Sequence, residues 1–494
     1  MHRSSGILLH ITSLPSRYGI GNLGQEAYRF VDFLKKAGQR CWQILPLCPP
    51  DESDSPYHTY SVFAGNPYLI DPDGLIAAGW LPQSAADAFP HSDDAAQVDF
   101  AALRAHRHTL LRAAYDGFCE RIPDDYDAFL FRSRDWLPDY ALFMALKAHF
   151  DEKPWMDWPQ DIRLRRPAAL RRYRMELDAE IGYQNFLQYV FDLQWTKLKQ
   201  YAAANGVRII GDIPISVPLD SADVWSAPEN YQLTRTRRPR VVAGCPPDGF
   251  NADGQYWGNP IYDWDAMAEN GYSWWLRRIG AAGEKFDVIR IDHFRGLESY
   301  WAIPAANKTA RKGKWVKGPG LSLIRAIRSA YPHLDFIAED LGFLTEDVYK
   351  LVANSGWPGM KVLEFAFDDP DHPSTYLPHL YKTNCICYTG THDNDTLCHW
   401  CESLTDVQQQ YVRRYLRLRE TDDLPSALIR AGMRSKAQLF MAQMQDYLRL
   451  DGSARMNEPG ICQSKNWRWR MLPGAADDAL AAQIAELTAA AKRV

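Results

Sequence analysis

Asp287-Val288-Ile289-Arg290-Ile291-Asp292-His293 is an apolar, strand-like run with a single internal cation, and it stops on an acid. Two later stretches repeat the design. Leu334-Asp335-Phe336-Ile337-Ala338 stops at Glu339-Asp340, and Cys385-Ile386-Cys387-Tyr388-Thr389-Gly390 stops at Thr391-His392-Asp393-Asn394-Asp395. Each run has the length and the β-branched or aromatic content of a parallel strand buried on both faces. Charge gathers only where each run ends. In a (β/α)8 barrel the C-terminal ends of the strands form the active-site rim, so acids recurring there group Asp292, Glu339 and Asp393 as candidate catalytic residues.

Working outward, residues 6–11 and 39–47 are compact apolar stretches separated by residues 25–37, whose apolar positions fall at helical spacing. That is a β-α-β opening. A polar, Pro-rich loop follows at 49–60, and a long loop at a strand's end is a natural place for function. Residues 86–205 carry helical patterns, notably 139–149 and 183–200, and read as a helical insertion. Strand rhythm resumes at 207–215, with Asp212 near its end, and continues at 287–291, 334–338, 362–367, 385–390 and 439–448, the last of which also reads as helix. Eight strands alternating with helices imply right-handed crossovers and a parallel sheet, for which closure is the natural outcome. The expected fold is therefore an α/β (β/α)8 TIM barrel with large, mostly helical insertions, one elaborated domain spanning 1–494. Residues 475–491 read as a terminal helix.

Composition narrows the class. With 46% hydrophobic and 24% charged residues the chain is an ordinary globular one, and a net charge of −5 lacks the basic excess of a protein that tracks phosphate backbones. Nucleic acid is not an expected partner. The 17 Trp and 25 Tyr give flat amphipathic surfaces suited to sugar rings, although core packing claims most of them. No stretch has transmembrane length, and Met1-His2-Arg3-Ser4-Ser5-Gly6 does not lead into a secretory signal. Nine scattered cysteines form no disulfide framework, which points to reduced thiols and a cytoplasmic location. Cys385 and Cys387 fall on one face of a strand and read as core residues, not metal ligands. Neither a P-loop nor a dinucleotide fingerprint is present, and the composition does not fix an oligomeric state.

Cleaving a glycosidic bond requires protonating a poor leaving group while an oxocarbenium-like centre is stabilised, and two carboxyl groups suffice. In a retaining enzyme one attacks the anomeric carbon and the other donates and later removes a proton, with the pair about 5 Å apart. Asp292 suits the nucleophile, because Arg290 lies two residues earlier on the same strand face and keeps it ionised. Glu339 follows apolar Phe336-Ile337-Ala338, a setting that raises a carboxyl pKa as a general acid needs. Asp393, with His392 beside it, suits sugar hydroxyls. Each acid taken singly also reads as a helix cap, a structural arginine partner or a solvated loop charge. Strand-end acids alone establish only a polar rim.

The wording of these blocks is more specific. Val288-Ile289-Arg290-Ile291-Asp292-His293-Phe294-Arg295-Gly296, Ala338-Glu339-Asp340-Leu341-Gly342 and Tyr388-Thr389-Gly390-Thr391-His392-Asp393-Asn394-Asp395-Thr396 resemble the 4-α-glucanotransferases, the amylomaltase family or glycoside hydrolase family 77. The resemblance extends through Gly6-Ile7-Leu8-Leu9-His10, Trp42-Gln43-Ile44-Leu45-Pro46-Leu47, Ser55-Pro56-Tyr57, Gly65-Asn66-Pro67-Tyr68 and Gly211-Asp212-Ile213-Pro214-Ile215. It continues in Pro246-Pro247-Asp248, Gly254-Gln255, Trp257-Gly258-Asn259-Pro260 and Ala454-Arg455-Met456-Asn457. It implies a retaining transferase that holds a glycosyl group on Asp292, uses Glu339 as acid and then base, stabilises the transition state with Asp393, and passes the sugar to the 4-hydroxyl of another α-1,4-glucan. Arg290, Asp212 and His293 or His392 would contact the donor sugar. Residues 244–260 would form a loop over the active site, with Trp257 and Phe250 as glucan surfaces and Asn259, Gln255 and, further on, Asn457 as polar contacts. Tyr57 would belong to a remote glucan site, whose contacts differ because His58-Thr59 stand where Gln-Ser is commoner. Maltooligosaccharides, amylose and glucose are the implied partners, and the chemistry needs neither metal nor organic cofactor. Hydrolysis by the same carboxylates, or a non-catalytic glucan-binding barrel, are the alternatives.

Overall fold

The structure, a computed structural model, describes residues 3–90, 94–247, 252–342, 344–372, 374–460 and 465–493. Its strands, in chain order, are β1 Ser4–Leu8, β2 Cys41–Gln43, β3 Arg208–Pro214, β4 Val241–Cys245, β5 Gln255–Pro260, β6 Val288–Asp292, β7 Ser299–Pro304, β8 Lys314–Lys317, β9 Asp335–Ala338, β10 Gly359–Val362, β11 Cys385–Tyr388 and β12 Leu439–Gln443. Eight of them form one sheet in the order β10-β11-β12-β1-β2-β3-β6-β9, and every pairing in it is parallel. The backbone N–H of Ala338 donates to the carbonyl of Pro358 at 2.9 Å, which joins the two outer strands. The sheet is a (β/α)8 barrel.

Strand alternation sorts its side chains into two cores. Cys41, Ile210, Val288, Ile337, Met360, Val362, Ile386, Tyr388, Leu439 and Met441 make one buried cluster that fills the barrel. Their neighbours Trp42, Ile209, Ile289, Phe336, Cys387 and Phe440 belong to the other cluster, which includes the surrounding helices. Helix Gln25–Lys36 shows how that outer layer is built. It buries Ala27, Phe30, Val31, Phe33 and Leu34, sets the Phe30 ring 5.0 Å from that of Trp42, and ends on Lys35 and Lys36, whose charge suits a helix C-terminus. Packing at the β3 wall is tight enough to require glycine, since a Cβ on Gly211 would lie 2.2 Å from the Phe286 ring.

After the loop that follows β2, the chain from residue 67 onward is mostly helical, ending in the 27-residue helix Asp178–Ala204 before β3. A second addition was not expected from the sequence: β5-β4-β7-β8 form an antiparallel sheet beside the rim. The stretch 244–260, read as a loop, contains the end of β4 and all of β5. Two strand boundaries also differ. The expected strand at 362–367 is β10 ending at Val362, followed by a 3-10 turn at Leu363–Ala366, because its partner β11 stops at Tyr388 and leaves those residues nothing to pair with. The run 439–448 divides into β12 and a short helix, Met444–Tyr447.

Candidate active site

The inward-facing row of each strand decides what reaches the rim. On β6, Val288 faces the barrel interior, so Arg290 and Asp292 continue upward on the same side; on β3, Ile210 does the same for Asp212. Asp212 and Arg290 are register partners across β3 and β6. Arg290 Nη1 donates to Asp212 Oδ2 at 2.6 Å and to Asp292 Oδ1 at 2.9 Å, so one guanidinium ties two carboxylates together. Burial works against its charge, yet Asp212 and Asp292 together hold the Arg290 pKa well above its ordinary value. Asp212 is itself buried and its pKa is raised, chiefly by desolvation, against the pull of Arg290. The Asp292 side chain keeps 29% of its surface, which leaves it facing the cleft.

Glu339 follows inward-facing Ile337 at the end of β9. Its Oε2 accepts the backbone N–H of His293 at 2.7 Å and its Oε1 that of Leu341 at 2.8 Å. The first bond depends on His293 adopting φ 52°, a left-handed conformation uncommon for a residue with a Cβ, which turns its amide toward the carboxyl. Desolvation at the cleft floor and the nearby Asp292 push Glu339 up to about 7 against the opposing effects of Arg290 and the two amides. Two carboxylates on adjacent barrel strands thus sit in different electrostatic settings, one clamped by a cation and one carrying a proton near neutrality.

Asp393 lies just past β11. Its Oδ1 accepts from Asn457 Nδ2 at 2.6 Å and lies 3.4 Å from His392 Nε2, while Arg455 donates to its backbone carbonyl at 2.7 Å. A cleft of about 430 Å³ brings Asp292 and Asp393 together with Tyr57, Gln255, Trp257, Asn259, His293, His392 and Asn457. Trp257 donates its indole N–H to Gln255 Oε1 at 3.0 Å, and its ring meets that of His293 edge-on at 4.9 Å. Burial lowers His293 to about 4, so the imidazole is neutral at physiological pH. Phe250 lies outside the described residues.

Tyr57 stands elsewhere than expected. Its hydroxyl donates to Asp212 Oδ2 at 2.8 Å and its ring stacks on His392 at 5.1 Å, so it belongs to the central cleft and not to a remote site. The loop that carries it folds back over the rim, a tertiary outcome that the Ser-Pro-Tyr motif does not encode. Two residues went unnoticed in the sequence. Trp467 lines the same cleft, its ring 5.8 Å from Tyr57 and 6.0 Å from His392; it lies in an irregular segment with no periodicity to flag it. His10, two residues beyond β1, lies near His392, and its Nδ1 accepts the N–H of Leu45 at 3.2 Å. Burial lowers it to about 3, so it is neutral, and its position at a strand's end was the available signal.

A closed parallel barrel with acids gathered at the C-terminal ends of its strands defines the class of (β/α)8 proteins whose active site lies at that rim. The chain belongs to the 4-alpha-glucanotransferase family, glycoside hydrolase family 77, whose profile matches residues 9–475. It is similar to the 4-alpha-glucanotransferase of Thermus thermophilus, at 46% identity over all of this chain and 99% of that one. Against the Streptococcus pneumoniae TIGR4 enzyme of the same name the figures are 44%, 100% and 98%. Among solved structures, an amylomaltase from Streptococcus agalactiae in complex with acarbose superposes with a TM-score of 0.97 at 40% identity, over 99% of both chains.

Proposed function

We propose that this protein disproportionates α-1,4-glucans by a double displacement in which Asp292 is the nucleophile, Glu339 the acid and then the base, and Asp393 the group that holds the distorted donor sugar. The observation that carries this reading is the contrast between the first two carboxyls. Asp292 is bound at 2.9 Å to the Arg290 guanidinium and faces the cleft, whereas Glu339, at about 7, still holds a proton to give the leaving oxygen. Attack forms a C–O bond from Asp292 to the anomeric carbon as the glycosidic bond breaks and the Glu339 proton passes to the departing 4-oxygen. In the second half Glu339, now a carboxylate, takes the proton of an acceptor 4-hydroxyl as that oxygen displaces Asp292. Asn457 and His392 hold Asp393 at the opening, and Tyr57, Trp257 and Trp467 supply the aromatic walls on which glucose rings pack.

The substrates are maltooligosaccharides and amylose, with glucose as an acceptor; the acarbose bound to the Streptococcus agalactiae relative supports a glucan-like ligand for this cleft. Transfer prevails over hydrolysis where aromatic walls exclude water and seat a second sugar. A cytoplasmic location fits Cys41, Cys48, Cys119, Cys385, Cys387, Cys398 and Cys401, none of which forms a disulfide; among the described residues no helix is long and apolar enough to cross a membrane. Incubation with maltotriose should yield a ladder of longer maltodextrins plus glucose at constant reducing ends. A rise in reducing ends in step with substrate loss would establish hydrolysis instead. Asp292→Asn should abolish turnover while retaining oligosaccharide binding, and unchanged activity would remove the nucleophile assignment.

A further inference from the structure

The rim holds another carboxyl that the chemistry above does not use. Glu364 stands in the turn after β10, between the strands that lead to Glu339 and Asp393, and is 4% exposed. Its Oε1 has no hydrogen-bond partner among the described residues. Asp446, Asp395, Arg455 and Cys401 surround it at a distance, and the side chain of Asn394 faces its carboxyl. The backbone presses against it from the other side. A Cβ on Gly390 would stand 2.6 Å from Glu364 Oε1 and 2.9 Å from Gln443 Nε2, so only glycine lets the chain pass so close.

One donor reaches Glu364, the side chain of Asn394. Desolvation raises Asp446 to about 6 against the pull of the N–H of Leu397, 2.8 Å away, and the hydroxyl of Thr389. Asn394 directs its oxygen to the N–H and hydroxyl of Thr391, both at 2.9 Å, and so closes the turn on which Asp393 stands. An ionised Glu364 would therefore be a buried anion beside Asp446 and Asp395, with the Asn394 side chain as its hydrogen-bond donor and Oε1 left unpaired among the described residues.

Building on the role of Asp393 given above, we propose that Glu364 is a positioning residue that acts as a neutral carboxylic acid, filling the space beneath Gly390 and bracing the 391–395 turn so that Asp393 meets the donor sugar. Desolvation followed by the charges of Asp446 and Asp395 drives its pKa well above the ordinary value, in keeping with a retained proton. A neutral group of the same shape should replace it, and a smaller one should not.

The test compares E364Q, E364A and the parent enzyme on maltotriose, with kinetics normalised to folded protein. E364Q should keep kcat within about twofold, whereas E364A should lose about tenfold or more in kcat with KM little changed, as expected when a catalytic group is displaced. Infrared difference spectra at about pH 8, above the Glu339 ionisation, should show a protonated carboxyl band in the parent that is missing from E364Q. A band that does not depend on Glu364, an E364Q defect as deep as that of E364A, or full kcat in E364A would each overturn the proposal. The infrared comparison decides the proton even if E364A does not fold. Full activity in Asp393→Asn would instead remove the reading of Asp393 and leave the proton on Glu364 standing.

Discussion

Replacing Asp292 with asparagine should do more than remove the proposed nucleophile: it should lower the pKa of Glu339. The wild-type carboxyl stands at about 7 because desolvation and the Asp292 charge outweigh Arg290 and two amide donors at 2.7 and 2.8 Å. Unit charges about 5.5 Å apart, the separation typical of retaining enzymes, repel by about 3 kcal/mol at an effective dielectric near 20, or about two pKa units. Asp292 is 29% exposed and water screens part of that repulsion, so Glu339 in Asp292→Asn should titrate between about 5 and 6. Carbon-13 NMR of protein labelled at the glutamate carboxyl reports this directly. The sign has a second consequence. A folded-state pKa above the unfolded 4.5 means that the native form binds the extra proton, so this group's stabilisation is complete below about 4.5 and is lost as pH rises through about 7. The variant should lose less stability over that window than the wild type. A Glu339 titration unmoved by the substitution would refute the electrostatic pairing of the two acids and leave desolvation alone to account for the proton.

Three other perturbations test separate contacts. Tyr57→Phe removes the 2.8 Å bond to buried Asp212 and should cost about 1–2 kcal/mol in urea denaturation, with no loss expected if the tyrosine only covers the site. Asn457→Ala leaves Asp393 with His392 as its remaining side-chain neighbour and should lower kcat on maltotriose about tenfold, the equivalent of one hydrogen bond. Gly211→Ala forces a methyl to within 2.2 Å of the Phe286 ring and should destabilise the barrel by about 1–3 kcal/mol in thermal unfolding; a neutral effect would show that the ring moves freely.

The barrel was legible because its information is local. Seven of the eight strands coincide with short apolar runs, β10 at Gly359–Val362 lying mostly ahead of the run expected at 362–367, and alternation alone carries Val288 to Arg290 and Asp292, and Ile210 to Asp212. The antiparallel sheet was not legible, since β4 and β5 carry glycine, β5 and β7 end on proline, β8 begins and ends on lysine, and β4 meets β7 across a long interval, Val241 pairing with Pro304. Tyr57 was misplaced for a related reason. Its motif announces an aromatic on a loop, but only the fold of that loop over the rim sets its hydroxyl on Asp212 and its ring on His392. Glu364 was hidden inside a run read as strand, where the end of pairing with β11 turns the chain and buries a carboxyl that a continuing strand would have placed elsewhere.

The same chemical group occurs repeatedly around this rim, and what each carboxyl can do follows from the donors aimed at it. Asp292 has a guanidinium and an open side, the conditions for a charged nucleophile. Glu339 has two amides that fix its orientation without supplying a full positive charge, so a neighbouring anion and desolvation can keep it protonated until a leaving group needs the proton. Asp393 takes an amide N–H from Asn457 and lines the cleft, in keeping with the sugar-binding role proposed for it. Moving one donor should therefore change a residue's role before it changes the fold: with Arg290 gone, buried Asp212 would lose the cation that offsets its desolvation, and Asp292 would lose the guanidinium that orients it although its position in the barrel stayed the same.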